Sequence, residues 1–170
     1  VEVMAKDWDT LVLLDACRPN MFAAANDLDG DLSTVRSMAG RSYTFMKRNF
    51  GGKVLHDTVY VYANSHFSKF PDDIFHEVVN VWDDGWDEEV ETIRPETVTV
   101  AALDAYERHP DKRLIIHYMQ PHTPFLGKMA LEVLRGSRHS ELRDLDGYSV
   151  LGALKHGLID VEDETLLEMY

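Results

Sequence analysis

Three short runs of apolar, β-favouring residues constrain this chain most, because each stops abruptly at polar side chains. Thr10-Leu-Val-Leu-Leu14 ends at Asp15, and Thr58-Val-Tyr-Val-Tyr-Ala63 ends at Asn64-Ser65-His66. Arg113-Leu-Ile-Ile-His-Tyr118 runs into the polar stretch from His117 to His122. Runs without polar alternation suit strands buried on both faces. Glu77–Trp82 reads as a further strand. Helical signals fall between them. Pro19 suits the first turn of a helix reaching about Asn26, and a second helix runs from Ser42 to Asn49 with Gly51-Gly52 as its stop. Pro95 opens a third, with Val98, Ala101, Ala102, Ala105 and Tyr106 on one face, ending near His109-Pro110. Beyond His122 come amphipathic stretches at about 128–136, 147–156 and 161–169. Strands alternating with helices predict an α/β domain with a mainly parallel sheet. Ligands of such sheets bind at the carboxyl ends of the strands, so Asp15, Asn64-Ser65-His66 and the segment His117–His122 are expected to gather there.

Charge narrows the function. The 30 Asp and Glu against 17 Lys and Arg leave a formal charge of −13, which repels phosphate backbones and anionic membrane surfaces. A nucleic-acid partner is therefore not expected. Ten of those acids fall between Pro71 and Glu96 against the single Arg94, a pattern more typical of a solvated face than of a cation site. Acid excess with few lysines also suits a chain adapted to high salt. The hydrophobic share of 45% is that of a chain able to form a core, and 170 residues suggest one domain. The longest apolar run, about Leu11 to Leu14, is far below the roughly 20 residues of a membrane-spanning helix. The lone Cys17 excludes an intrachain disulfide and mildly favours a reducing, cytoplasmic setting. The segment Asp27–Gly40, rich in Asp, Gly and Ser, reads as a long loop, of a length that is usually functional or mobile.

Three places could carry chemistry. Asp15, at the tip of a buried strand, offers a fixed hard oxygen to a divalent ion such as Zn, Mg, Mn or Ca, or else braces a loop. Gly40-Arg41-Ser42-Tyr43-Thr44 puts a hydroxyl at a helix N-terminus, where backbone N–H groups favour an alkoxide and an anionic ester, or where a serine simply caps the helix. His122, between Pro121 and Pro124, sits in a stiffened loop and could donate to an anionic oxygen or protonate a leaving group. No glycine-rich phosphate loop follows a strand, which disfavours a nucleotide-binding domain.

At these segments the chain resembles the alkaline phosphatase and sulfatase superfamily, specifically the sulfatase-like proteins of salt-loving archaea. The stretches that carry the resemblance are Trp8–Arg18, Gly40–Phe50, Val59–Asn64 and, most specifically, Lys112–Phe125. The resemblance implies a three-layer α/β/α sandwich and a metal-dependent hydrolase of a phosphate or sulfate ester, small-molecule or glycan. Asp15 would be the metal ligand, Ser42 the nucleophile with Thr44 as its rival, and His122 the contact to the anionic ester. Arg18, Asn64 and His117 would bind substrate. Cys17-Arg-Pro-Asn-Met21 shares two letters with the formylglycine motif Cys-x-Pro-Ser-Arg, but it follows the first strand directly and is not read as the nucleophile. The family's later Asp-His ligand motif has no counterpart after His122. The expectation is accordingly an N-terminal part of the domain, incomplete at its C-terminus, or a non-catalytic remnant of the fold acting as a binding or assembly module.

Overall fold

The structure, a computed structural model, describes residues 1–71, 73–128, 130 and 131. Strand β1 (Thr10–Asp15) is followed by helices α1 (Pro19–Ala25) and α2 (Ser42–Phe50), then strand β2 (Leu55–Tyr62). A 3₁₀ turn at Ser65–Lys69 leads to strand β3 (Phe75–Asn80), the short helix α3 (Val81–Asp84) and a two-residue ladder of β4 (Trp86–Asp87) with β5 (Thr92–Ile93). Helix α4 (Pro95–Arg108) and strand β6 (Arg113–Pro121) follow. The helical stretches read at 128–136, 147–156 and 161–169 lie, beyond Leu131, outside the described residues.

The four long strands form one parallel sheet in the order β1-β6-β2-β3. The chain lays down β1, β2 and β3, then returns to insert β6 between the first two. Alternation along β2 divides the core. Val59, Val61 and Ala63 pack with Val98, Ala102 and Ala105 of α4 on one face. Tyr60 and Tyr62 pack with Met46 and Phe50 of α2 on the other. The expected α/β fold is present, a four-strand parallel sheet with flanking helices.

Strand β2 begins at Leu55 rather than Thr58 and β3 at Phe75 rather than Glu77, and two strand ends also differ from the sequence reading. Strand β3 ends at Asn80 rather than Trp82, because the Asn80 side chain accepts from the Trp82 backbone N–H at 3.0 Å and starts α3. Strand β6 runs past Tyr118 to Pro121, so His117, already within the expected strand, lies well inside the sheet rather than near its end. His117 lies level with Leu13 of β1 and with Tyr62 of β2, which in turn lies level with Asn80 of β3. The β1–β6 register then slips. Leu14 pairs with Tyr118 but Asp15 pairs with Pro121, so Met119 and Gln120 bulge out of the ladder.

Candidate active site

Residues level across a parallel sheet face the same side, and residues two further along face it again. Leu13 and Tyr62 face α2, so Asp15 and Asn64, two positions on, are aimed at the same rim from β1 and β2. Helix α2 meets them with its first residue. Ser42 Oγ donates to the Asp15 carboxylate and lies 2.9 Å from Oδ1 and 2.8 Å from Oδ2. Asn64 Nδ2 donates to Asp15 Oδ2 at 2.8 Å, while Asn64 Oδ1 accepts from the His66 backbone N–H at 3.0 Å. Both ends of that amide are thereby assigned. The capping alternative for Ser42 does not apply, since the N-cap of α2 is Arg41 and the serine hydroxyl is directed at Asp15.

Immediately after Asp15 the backbone turns through Ala16 at φ 65°, a left-handed conformation that L-residues with a Cβ adopt at a cost. Such strain concentrates where a side chain must be held at a set angle. Here it takes the chain off the sheet directly behind the carboxylate.

Beneath this rim His117 is buried, 3% exposed, with Nδ1 2.7 Å from the Tyr60 hydroxyl. Tyr60 is fully enclosed, and burial raises its phenol well above the ordinary range, so the hydroxyl keeps its proton and donates it. The Met46 sulfur at 3.5 Å is the weaker acceptor, which leaves Nδ1 of His117 as the receiver and puts the imidazole proton on Nε2. Burial pushes His117 down to about 4 against the opposing attraction of the Asp15 carboxylate, so the ring is neutral at pH 7.

The other expected site residues make no hydrogen bond to Asp15 among the described residues. Thr44 is half-buried two positions along α2 and makes no hydrogen bond to Asp15 among the described contacts. Arg18 is exposed at the N-cap of α1. His122 is exposed on the loop after β6, where its Nδ1 lies 2.7 Å from the Thr123 carbonyl oxygen. That oxygen can only accept, so Nδ1 carries the hydrogen of this bond. Cys17 is half-buried, and burial raises its thiol, an inert rather than a nucleophilic setting.

Asp15 and Ser42 are hard oxygen donors of the sort divalent ions take. Among the described residues no three His, Cys, Asp or Glu side chains come together to hold a metal. The acid-rich 71–96 segment follows the same rule: its Arg94 is held by Asp87 at 2.6 Å and Glu89 at 3.5 Å, and the guanidinium holds the Asp87 carboxyl below its usual range. Tyr60 was missed from sequence. Its signal is a tyrosine on the α2-facing side of β2, which acquires a role only once β6 is known to lie beside it. No protein-family model, curated protein or solved structure matches the chain. Among the described residues no helix is long and apolar enough to cross a membrane.

Proposed function

We propose that the chain carries the nucleophile side of a sulfatase-like or phosphatase-like metal-dependent hydrolase of phosphate or sulfate esters, in a three-layer α/β/α sandwich of the alkaline-phosphatase kind. One observation carries the reading: Ser42 Oγ lies 2.8–2.9 Å from both oxygens of Asp15, at the carboxyl rim of a parallel sheet. Strand, carboxylate and helix N-terminus are the parts that orient a hydroxyl and receive an anion. Helices on both faces of the sheet suit the three layers.

In this proposal Ser42 Oγ attacks the phosphorus or sulfur atom, forming the new ester bond as the bond to the alcohol oxygen breaks. The serine proton passes toward the Asp15 carboxylate that already accepts it. The departing alcohol oxygen takes up a proton, from solvent or from His122 on the loop after β6. The backbone N–H groups of the first turn of α2, whose N-cap Arg41 offers them no side-chain acceptor, would favour the developing charge. A divalent ion held by Asp15 would supply a Lewis acid and ease loss of the serine proton. Asn64 holds Asp15 in place, and the neutral His117 beneath it adds no competing cation.

A second reading, a non-catalytic module that retains this fold, is favoured by a different aspect of the same contact. Ser42 and Asn64 together take both Asp15 oxygens and tie β1, α2 and β2, as a bracing carboxylate does. One experiment separates the two. The purified chain is analysed for bound metal and assayed on 4-nitrophenyl phosphate and sulfate with Zn, Mg, Mn or Ca. Stoichiometric metal and hydrolysis that falls at least about a hundredfold in Asp15→Asn and Ser42→Ala support the enzyme. Unchanged turnover in both variants rejects the roles given to these residues. Absence of metal and of turnover, with both variants destabilised, supports the module.

A further inference from the structure

The two faces of the sheet are covered unequally. On the α2 side, Leu11 and Leu13 of the edge strand β1 join the core cluster. On the α4 side, Val12 and Leu14 lie level with Ile116 and Tyr118 of β6, yet they are 50% and 38% exposed. Helix α4 packs on β2 and β6, and its flanks differ in kind. Toward β3 it carries Asp104 and Arg108, with Arg108 paired to Glu77 at 2.6 Å. The opposite flank is marked by Thr99, whose hydroxyl lies 2.9 Å from that of Tyr118. Leu103 and Tyr106 stand four and seven residues after Thr99, so they share its side of the helix, and both are 59% exposed. Val12, Leu14, Leu103 and Tyr106 thus border a groove floored by Ile116 and Tyr118. Its outer rim on α4 is acidic, since Glu96 and Glu107 stand seven residues before and four after Leu103. A parallel sheet is ordinarily covered on both faces, and a contiguous exposed apolar surface marks a docking site.

We infer that this groove is filled by the amphipathic stretch 147–156 of the same chain, and that docking there braces the edge strand that carries Asp15. The chain leaves β6 on the side this requires, because Phe125 and Leu126 share a cleft with Pro95, the first residue of α4. Crossovers between parallel strands keep one hand. The chain passes from β1 to β2 by way of α2 and returns from β3 to β6 by way of α4, so a path onward from β6 toward β1 runs over the α4 side. Fifteen residues separate Leu131 from Gly147, a reach of up to about 50 Å, whereas the 14 residues of α4 span about 21 Å. Charge selects the stretch. Residues 147–159 hold no Asp or Glu in a chain that carries 30, and Lys155 and His156 suit the rim of Glu96 and Glu107. Tyr148, Leu151 and Leu154 supply apolar side chains at spacings of three. A second copy of the chain would instead bring two acidic rims together and add another formal charge of −13.

The test is cross-linking within the full 170-residue chain. In a Cys17→Ser background, Leu103→Cys is combined with Leu151→Cys, treated with a short bifunctional maleimide and read by intact and peptide mass spectrometry. The control pair is Lys69→Cys with Leu151→Cys, because Lys69 lies over the Tyr43 ring of α2, on the other side of the sheet. Leu103 and Lys69 are both exposed, so neither substitution disturbs the core. The expected result is an intramolecular link between positions 103 and 151 at least about tenfold more abundant than the control link, since docking raises the effective concentration. A link no more abundant than the control overturns the inference. Cross-linked dimers without the intramolecular link assign the groove to a second copy and overturn it too. Hydrogen exchange gives the second readout: Leu151→Asp with Leu154→Asp should speed amide exchange in β1 about tenfold and leave β2 unchanged. Unchanged exchange in β1, or a rise shared equally by β2, overturns the bracing of the edge strand. Neither readout depends on hydrolysis, so the result stands apart from the ester reading.

Discussion

Lowering the pH from 7 to 5 is expected to destabilise the protein specifically through His117. The ring titrates near 6.5 when exposed in an unfolded chain and at about 4 when folded, because burial disfavours its charged form. Between those values the unfolded state binds a proton that the native state does not, so stability rises with pH and is lost as pH falls from about 6.5 toward about 4. The full window corresponds to ~3 kcal/mol, of which ~2 kcal/mol is lost by pH 5. Above pH 6.5 both states hold a neutral ring and the contribution is flat. The comparison protein is His117→Asn, which keeps an acceptor near Nδ1 for the Tyr60 hydroxyl but does not titrate. Urea unfolding followed by far-ultraviolet circular dichroism at pH 7, 6, 5.5 and 5 gives the two profiles. The carboxylates held low by their partners, Glu77 by the Arg108 guanidinium and Asp57 by the Thr58 hydroxyl and then Arg113, act equally in both proteins and cancel in the difference. The wild type should lose ~2 kcal/mol more than the variant between pH 7 and 5. Parallel profiles would refute the burial argument, since they would mean that the folded ring protonates as readily as the free one.

Two further perturbations test the frame around the site. Ala16→Gly should stabilise the fold by about 1 kcal/mol, because glycine takes the φ of 65° without strain; a lower midpoint in thermal unfolding would argue that the turn after Asp15 is unstrained. Phe50→Ala should cost about 3–5 kcal/mol, since the ring is fully buried with its centroid 5.5 Å from that of Tyr60 and 5.3 Å from that of Phe75; a loss under 1 kcal/mol in urea titration would mean that α2 is not anchored to the sheet through this side chain.

Local chemistry was legible in the sequence, and non-local pairing was not. Pro19 and Pro95 each stand at the first position of their helices, and Gly51 follows the end of α2, because these residues act through their own backbone. The strand cores of β1, β2 and β6 were legible from apolar runs for the same reason. Nothing local says that the last strand inserts between the first two, yet that insertion puts His117 level with Tyr62 and brings Tyr60 to its ring. His117 and His122 looked alike, two histidines five positions apart in one polar stretch. The first lies within β6 between β1 and β2 and is buried; the second follows the strand and is exposed. Ser42 and Thr44 were likewise equal as hydroxyls near a helix start; the angle at which α2 meets β1 distinguishes them, and that angle is set by Met46 and Phe50 against the sheet.

The same burial bears on what Asp15 can do. A cationic histidine under the rim would draw the carboxylate inward as an ion pair, leaving little negative charge for anything arriving from solvent. Burial prevents this by making the charged imidazole costly, while the Tyr60 hydroxyl, keeping its proton, donates a hydrogen bond to Nδ1. The hydrogen-bond donors to Asp15 among the described residues, Ser42 and Asn64, are both neutral. Its charge is therefore oriented but not cancelled, and two neutral donors fix where a cation or a transferred proton would meet it. A carboxylate needed only to brace three elements would be served as well by a cationic partner; one that has to receive a proton or an ion at the rim requires the neutral floor that Tyr60 and His117 provide.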